Sequence, residues 1–362
     1  MFTSVSGPFL ASLLIALISI PVIIRVAALK NLTDDPDQGR KLHNGQIPTL
    51  GGIAIFGGTV FSFSSFTDFL GVAEIKFMVP SLILLFFAGV KDDILLLTPF
   101  KKLSVQVICA AMITLVGDLR LTSLWGILGI TDVSWLVGVL LTMLAIVGLI
   151  NAFNLIDGAN GLAASLGIIA SVFFGGWFYA TGATFLCILS FSLAGALCGF
   201  LYYNISPAKI FMGDTGSMVI GFIVSLLAIK FVEINRSVAV DPQYYIKAAP
   251  GVAIAVLVIP LFDMARVVTS RLLSRRSPFS ADRSHIHHIL MDIGLSHNQV
   301  TLFLTVFTFI ALWISLSLKD WRSVDVAAVV LAQYLCVFFG AMYLKKKSLN
   351  KHKVMPQWKS CL

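Results

Sequence analysis

Apolar positions in this chain form long unbroken runs parted by short polar islands, with no strict alternation and no one-sided helical stripe. Runs close to the roughly 20 residues that cross a bilayer as helix are read as membrane spans. Eleven are predicted, near 8–27, 50–66, 78–91, 103–117, 133–150, 162–179, 183–201, 216–232, 249–266, 300–318 and 324–344. Pro21, Pro80, Pro250 and Pro260 fall inside or at the ends of these runs, as membrane helices tolerate. The stretch Leu119–Ile130 is apolar but too short to span, and is expected to lie along the outer surface or re-enter. The predicted fold class is all-α: a polytopic membrane helix bundle of about 11 transmembrane helices. It divides into a membrane domain over residues 1–344 and a basic tail over 345–362. The amino-terminal run lacks the basic start and small-residue cleavage site of a signal peptide, so residues 8–27 are read as a retained span.

Composition agrees. The chain is 58% hydrophobic and 12% charged, where a soluble domain carries about 25% charged residues. Five cysteines stand singly, mostly within apolar runs and without metal-binding spacing, and are read as membrane-core residues. With the amino terminus outside, 19 of the 26 Lys and Arg residues fall on the inner side and 7 on the outer. The formal charge of +8 is thus a topology signal and not a nucleic-acid footprint. It leaves the cytoplasmic face attractive to anionic substrates and membrane lipids.

The same orientation places every polar island on the cytoplasmic side, which predicts one active site there. Intramembrane polar groups are costly unless they line a site. Asp92 and Asp93 close an apolar run. Adjacent carboxylates persist where a cation bridges them or one keeps a proton, and a charge cluster that merely stops the span is the alternative. Asp214, in Phe-Met-Gly-Asp-Thr-Gly-Ser, stands before another run. A carboxylate beside the free N–H groups of a helix start suits Mg²⁺ with phosphate, or simply caps the helix. Asn151, Asn154, Asp157 and Asn160 recur every three residues. On a helix, neighbours in this series share a face and offer amides to a base, ribose or sugar. Asp282, Arg283, His285, His287 and His288 lie in the most basic loop. They suit a metal site, an acid–base pair or a phosphate clamp, and the surrounding arginines favour the clamp. On a helix Asp282, His285 and His288 share one face and His287 points elsewhere; His43, His297 and His352 look incidental. Lys41 is a further inner-loop candidate for binding the substrate.

Five segments carry a resemblance: 39–55 (GRKLHNGQIPTLGGIAI), 91–99 (KDDILLLTP), 151–163 (NAFNLIDGANGLA), 206–217 (SPAKIFMGDTGS) and 277–290 (SPFSADRSHIHHIL). In their order and spacing they resemble the bacterial polyprenyl-phosphate N-acetylhexosamine-1-phosphate transferases, over nearly the whole chain up to about residue 344. The His-Ile-His-His form is similar to the branch that starts O-antigen, common-antigen or teichoic-acid linkage lipids. The peptidoglycan enzyme that transfers phospho-N-acetylmuramoyl-pentapeptide is the runner-up. The resemblance implies transfer of N-acetylhexosamine-1-phosphate from a UDP-sugar to undecaprenyl phosphate, with release of UMP, dependence on Mg²⁺ or Mn²⁺, and a tendency to form homodimers.

It further implies that Asp214 binds the metal, with Asp93 and Asn154 as companion ligands. Asp92 and Asp93 are implied as the acidic pair, with Asp92 first as base. Asn204, Asp157 and the Arg283–His288 segment are implied near nucleotide and phosphate. Asn160 stands where many relatives carry Asp, and supplies no second charge there. A transporter of phosphorylated solutes would share the spans and the basic face, but is expected to show inverted repeats and midplane ionisable groups. A scaffold needs none of these polar residues.

Overall fold

The computed structural model describes residues 2–30, 47–68, 75–127, 129–238, 243–277 and 284–354. The helices are α1 (Gly7–Leu29), α2 (Gly51–Phe66), α3 (Ile75–Leu95), α4 (Pro99–Ala111), α5 (Trp135–Ile156), α6 (Leu162–Ala180), α7 (Thr184–Asn204) and α8 (Gly213–Ser237). They continue with α9 (Ala249–Val256), α10 (Val258–Leu273), α11 (Ile286–Asp292), α12 (His297–Ser317) and α13 (Ser323–Val354). Wider π-type turns precede α1 and extend α4 to Val116.

Among the described residues eight helical segments are long and apolar enough to cross a membrane, or nine if the bent pair α9–α10 is one span. The count of eleven needs α2 and α3 as well. Helix α2 has 16 residues and falls short, and the run in α3 carries Lys76 at one end and Lys91, Asp92 and Asp93 at the other. Within and just beyond the stretch expected along the outer surface or re-entering, the chain forms an antiparallel hairpin, β1 (Ser123–Ile127) with β2 (Ile130–Asp132). Paired strands satisfy backbone groups that a flat apolar segment would leave open. Glu233 near the end of α8 accepts hydrogen bonds from the Thr122 amide at 2.9 Å and its hydroxyl at 2.7 Å, which pins the hairpin.

Helix α8 lies at the centre, packed against α2, α3, α5 and α6. Its neighbours approach through glycine: a Cβ on Gly52 or Gly89 would overlap the backbone at Thr215–Gly216, and one on Gly221 would overlap Ile150. Helices α1, α2 and α7 join in the same manner, through Gly58, Gly195, Gly199 and Ser12. A relay of hydroxyls reinforces them, from Ser192 to Ser62 at 3.0 Å and from Ser62 to the Pro8 carbonyl at 2.6 Å. Small residues and interhelical hydrogen bonds hold helices together where lipid offers no hydrophobic drive. The large exposed side chains are apolar and striped, as in Leu10, Leu14, Ile18, Val22 and Val26 of α1, which is a lipid-facing surface.

The prolines have different outcomes. Pro21 lacks the N–H that would bond Leu17 within α1, and the Tyr203 hydroxyl of α7 donates to that carbonyl at 3.1 Å. Pro260 leaves Val256 without its helical partner, and at this point the chain bends by 81° between α9 and α10. The single span predicted over 249–266 is therefore a broken one, with α10 turned across α5 and α13.

Tyr203→Phe removes the donor that covers Leu17. We expect a loss of about 1 kcal/mol, read as a lowered thermal midpoint of the purified protein in detergent. An unchanged midpoint would mean the α1 carbonyl needs no partner.

Candidate active site

The site is built on the start of α8. The first turn of a helix has amide groups without partners and a partial positive charge. Here they are met by a carboxylate from another helix. Asp93 of α3 accepts from the Asp214 amide at 2.6 Å, the Thr215 amide at 3.1 Å and the Thr215 hydroxyl at 2.5 Å. Gly213 has a positive φ of 71°, and a side chain on it would overlap the Thr49 carbonyl and the Asp93 carboxylate. The start of α2 is fixed to the same place, since Gly51 and Gly52 donate to the Phe211 and Met212 carbonyls, each at 2.9 Å.

So held, Asp214 gathers the other islands. Its carboxylate accepts from the Asn154 amide of α5, which also reaches Ser217 at 3.0 Å. Lys102 of α4 lies 2.6 Å from Asp214 and 3.2 Å from Asp92. The other Asp92 oxygen accepts from the Leu97 amide at 2.5 Å, closing the turn between α3 and α4. Two carboxylates from distant parts of the chain thus share one ammonium group. Asp157 caps the end of α5, outside the spans. Desolvation raises its carboxyl well above the usual range, and the nearby Asp214 and Asp93 carboxylates add to the effect.

Asn151, Asn160 and Asn204 brace this site. Asn151 donates to the Gln106 side chain of α4 at 2.6 Å and to the Val147 carbonyl at 2.8 Å. The buried Asn204 accepts from the Gly161 amide at 2.6 Å and donates to the Ile210 carbonyl at 2.8 Å, which ties the approach to α6 to the approach to α8. Asn160 works through its backbone: its amide donates to His297 at 3.3 Å, and its carbonyl accepts from Thr301 at 2.7 Å. His297 is therefore a docking residue of α12 and not incidental.

The histidine segment departs from the expected helix face. His285 is the N-cap of α11, in extended conformation, and only His287 and His288 lie in the helix. His287 does not point away: it is buried, stacks on His285 with centroids 5.8 Å apart, and packs over Gly158, where a Cβ would overlap its ring. Neither of its ring nitrogens has a hydrogen-bond partner among the described residues. Burial, and then the adjacent His288 imidazole, push it down to about 3, so the ring is neutral. Lys41, Asp282 and Arg283 lie outside the described residues.

Sequence reasoning missed two residues. Lys102 sits in the first turn of α4, where a cation opposes the helix dipole; that misfit signals a nearby anion. Asp263, fully buried in α10, holds the histidine segment in place. It pairs with Arg266 at 2.7 Å and His285 at 2.8 Å, and accepts from the Ile286 amide at 3.0 Å and the Tyr334 hydroxyl at 3.1 Å. An acidic residue inside a predicted span was itself a sign of a role.

Among the described residues no group of three or more His, Cys, Asp or Glu is disposed to hold a metal ion. The donors present still fit Mg²⁺, which takes one or two carboxylates and completes its shell with water and substrate phosphates. Asp214 and Asp92 are two such carboxylates, already drawn around one cationic group. The oxygens of Asp93, expected as a companion ligand, are taken up by the start of α8, where they fix the backbone of Asp214.

Comparison with known proteins gives the family. Residues 75–232, which carry Asp92, Asp93, Asn154 and Asp214, match the family model described as Glycosyl transferase family 4. A Bacillus subtilis protein named "Probable undecaprenyl-phosphate N-acetylglucosaminyl 1-phosphate transferase" is 32% identical over 96% of this chain and 93% of its own length. The undecaprenyl-phosphate alpha-N-acetylglucosaminyl 1-phosphate transferases of Escherichia coli K12 and Salmonella typhi are 29% and 30% identical, each over 90% of this chain and 86% of their own. The chain belongs to the polyprenyl-phosphate N-acetylhexosamine-1-phosphate transferase family, and is an enzyme of the transferase class.

Two outcomes test the histidine segment. Asp263→Ala leaves Arg266 without its buried partner, and a loss of about 3–5 kcal/mol is expected, read as a large fall in thermal midpoint. The second concerns pH. His287 has an ordinary value of 6.5 and a folded one of about 3, so the unfolded chain binds the extra proton between them. Its contribution to stability is complete above that window and is lost as pH falls through it. The fall in midpoint from about pH 7 to 5 should shrink in His287→Gln; an equal fall would refute the neutral, buried ring.

Proposed function

We propose that this enzyme transfers N-acetylglucosamine-1-phosphate from UDP-N-acetylglucosamine to undecaprenyl phosphate, releasing UMP. The observation that carries the reading is the Asp92–Lys102–Asp214 cluster with Asn154, at one end of an apolar bundle, where a water-soluble donor can meet a lipid phosphate. The names of the relatives supply the sugar and the carrier.

The topology that goes with it has eleven spans, with α2 and α3 crossing and α9–α10 counted once, and the site on the cytoplasmic side. The positive-inside distribution supports that side. The membrane domain ends near residue 344, and the remainder is a basic cytoplasmic tail.

In the reaction an oxygen of the lipid phosphate attacks the phosphorus that carries the sugar. The new P–O bond forms as the bond to the UMP oxygen breaks, and UMP takes the electron pair. Asp92 accepts the proton of a lipid phosphate that arrives protonated. Lys102 offsets charge on the phosphates, and Asn154 fixes the direction of Asp214. Asp157, Asn160 and the His285–His288 segment, with Lys41, Asp282 and Arg283 from the basic loops, are assigned to the donor nucleotide and its diphosphate. Mg²⁺ or Mn²⁺, when bound on Asp214, supplies electrostatic screening of that diphosphate. Most of the rate enhancement then comes from placement and preorganised charge.

Turnover with radiolabelled UDP-N-acetylhexosamines and undecaprenyl phosphate in detergent tests this. Lipid-extractable label from UDP-N-acetylglucosamine should appear with UMP, vanish with EDTA and return with Mg²⁺. Asp214→Asn and Lys102→Met should each lower the rate by at least roughly a hundredfold. Transfer from another donor alone would move the protein to another branch of the family, and uptake into proteoliposomes without transfer would overturn the reading.

A further inference from the structure

The turn between α3 and α4 leaves large apolar side chains uncovered beside the carboxylate cluster. Leu95 is 67% exposed, Leu96 86% and Phe100 79%, and Ile94 is exposed as well. Turns that meet water favour Gly, Asn, Asp, Ser and Pro. Here the residue that follows the end of α3, Leu96, has a positive φ of 50°. A helix that stops in this conformation usually does so on glycine or asparagine. The chain accepts backbone strain at the position where a leucine is most exposed.

The surroundings indicate what covers these side chains. On α3, Leu84, Phe87, Lys91 and Leu95 follow one another at helical spacing and all are exposed, so the tip continues a lipid-facing stripe. Phe100 and Ile108 do the same on α4. Lys91 and Lys101, both exposed, flank the tip. Lysine stems run along apolar surface and carry the ammonium group back to lipid phosphates. Length agrees: α3 has 21 residues, which rise about 31 Å, and the hydrocarbon core is about 30 Å thick. The helix matches the core only when its last turn, up to Leu95, is counted within it.

We propose that this turn is inserted in the hydrocarbon edge of the leaflet at the cluster's end of the bundle, and that it sets the depth at which the acceptor phosphate is received. The inference rests on the reading in which α3 crosses the membrane and Asp92 meets the lipid phosphate. Asp92 itself holds the tip: its carboxylate accepts from the Leu97 amide at 2.5 Å and its carbonyl from the Leu96 amide at 3.0 Å. Its other carboxylate oxygen faces Lys102 at 3.2 Å. One helical turn separates Asp92 from Leu96, so the carboxylate lies about 6 Å nearer the middle of the bilayer than the tip. A lipid phosphate descends by that turn to reach Asp92 and Lys102, while its polyprenyl chain stays in hydrocarbon.

Spin-label depth measurement on full-length Leu96→Cys, in liposomes of phosphatidylethanolamine and phosphatidylglycerol, tests the insertion without turnover. Its failure is thus distinct from failure of the transferase reading. Wild-type protein treated alike gives the background from its own cysteines. The label should collide with oxygen more often than with a water-soluble nickel chelate, at a depth below the lipid phosphates. A signal dominated by nickel puts the turn in water, and a label shielded from both reagents is covered by a second copy or another segment of the chain. Either result overturns the proposal. In the same liposomes, Leu96→Asn/Phe100→Gln should raise the KM for undecaprenyl phosphate roughly tenfold and leave the KM for UDP-N-acetylglucosamine unchanged. Asparagine suits the positive φ, and an unchanged elution profile and thermal midpoint show that the variant is folded; should it not be, Leu96→Asn alone gives the same comparison. Equal changes in both constants, or no change in either, overturn the role of the turn in receiving the acceptor.

Discussion

Asp93 accepts the first amides of α8, and much of the site depends on this contact between two helices. A helix buried at the centre of the bundle cannot leave its opening N–H groups to water, so another element must meet them. A carboxylate does so with a full charge set against the helix dipole. The contact fixes the height of α3 against α8, and with it the distance from Asp92 to Asp214. Lys102 spans that distance, and its ammonium offsets the repulsion of two carboxylates brought together in a poorly hydrated place. The cap places the backbone of Asp214, and Asn154 and Lys102 then direct its carboxylate.

The same economy governs the rest of the bundle. Helices close through glycines where backbone must meet backbone, as at Gly52, Gly89 and Gly221 around α8. Where proline removes an internal hydrogen bond, the chain either finds an outside donor or bends. Tyr203 serves Leu17 and α1 stays whole; at Pro260 the chain breaks, and α10 leaves the direction of α9 by 81°. That bend carries Asp263 to His285 and turns α10 against α13.

Much of this was legible in the sequence, and the parts that were not share a cause. Polar islands at the ends of apolar runs marked Asp92, Asp93, Asn154 and Asp214, because an unsatisfied polar group in an apolar setting demands a reason. Periodicity misled in the histidine segment: it assumed a helix from Asp282 onward, whereas α11 starts after His285 and brings His287 inward. The span count turned on two helices that hydropathy alone does not decide. Helix α2 has only 16 residues, and the charges of α3 lie inside the helix and not beyond it. The hairpin at 123–132 was invisible because its strands are stabilised by Glu233 and Arg236, more than a hundred residues away.

Hydropathy and charge distribution are properties of short segments, set by the transfer of each segment between water and lipid. They were enough for an all-α membrane bundle and for the placement of the polar islands at one end, while the five motif segments pointed to the family. Which islands touch is a different matter, since it depends on helix height, rotation and bend, and these follow from contacts between residues far apart in the chain. Only the tertiary structure placed Lys102 between Asp92 and Asp214, turned Asp93 into the cap of α8, and made Asp263 the anchor of His285. Each is a charge neutralised by a distant partner, and no local pattern encodes that partner's identity.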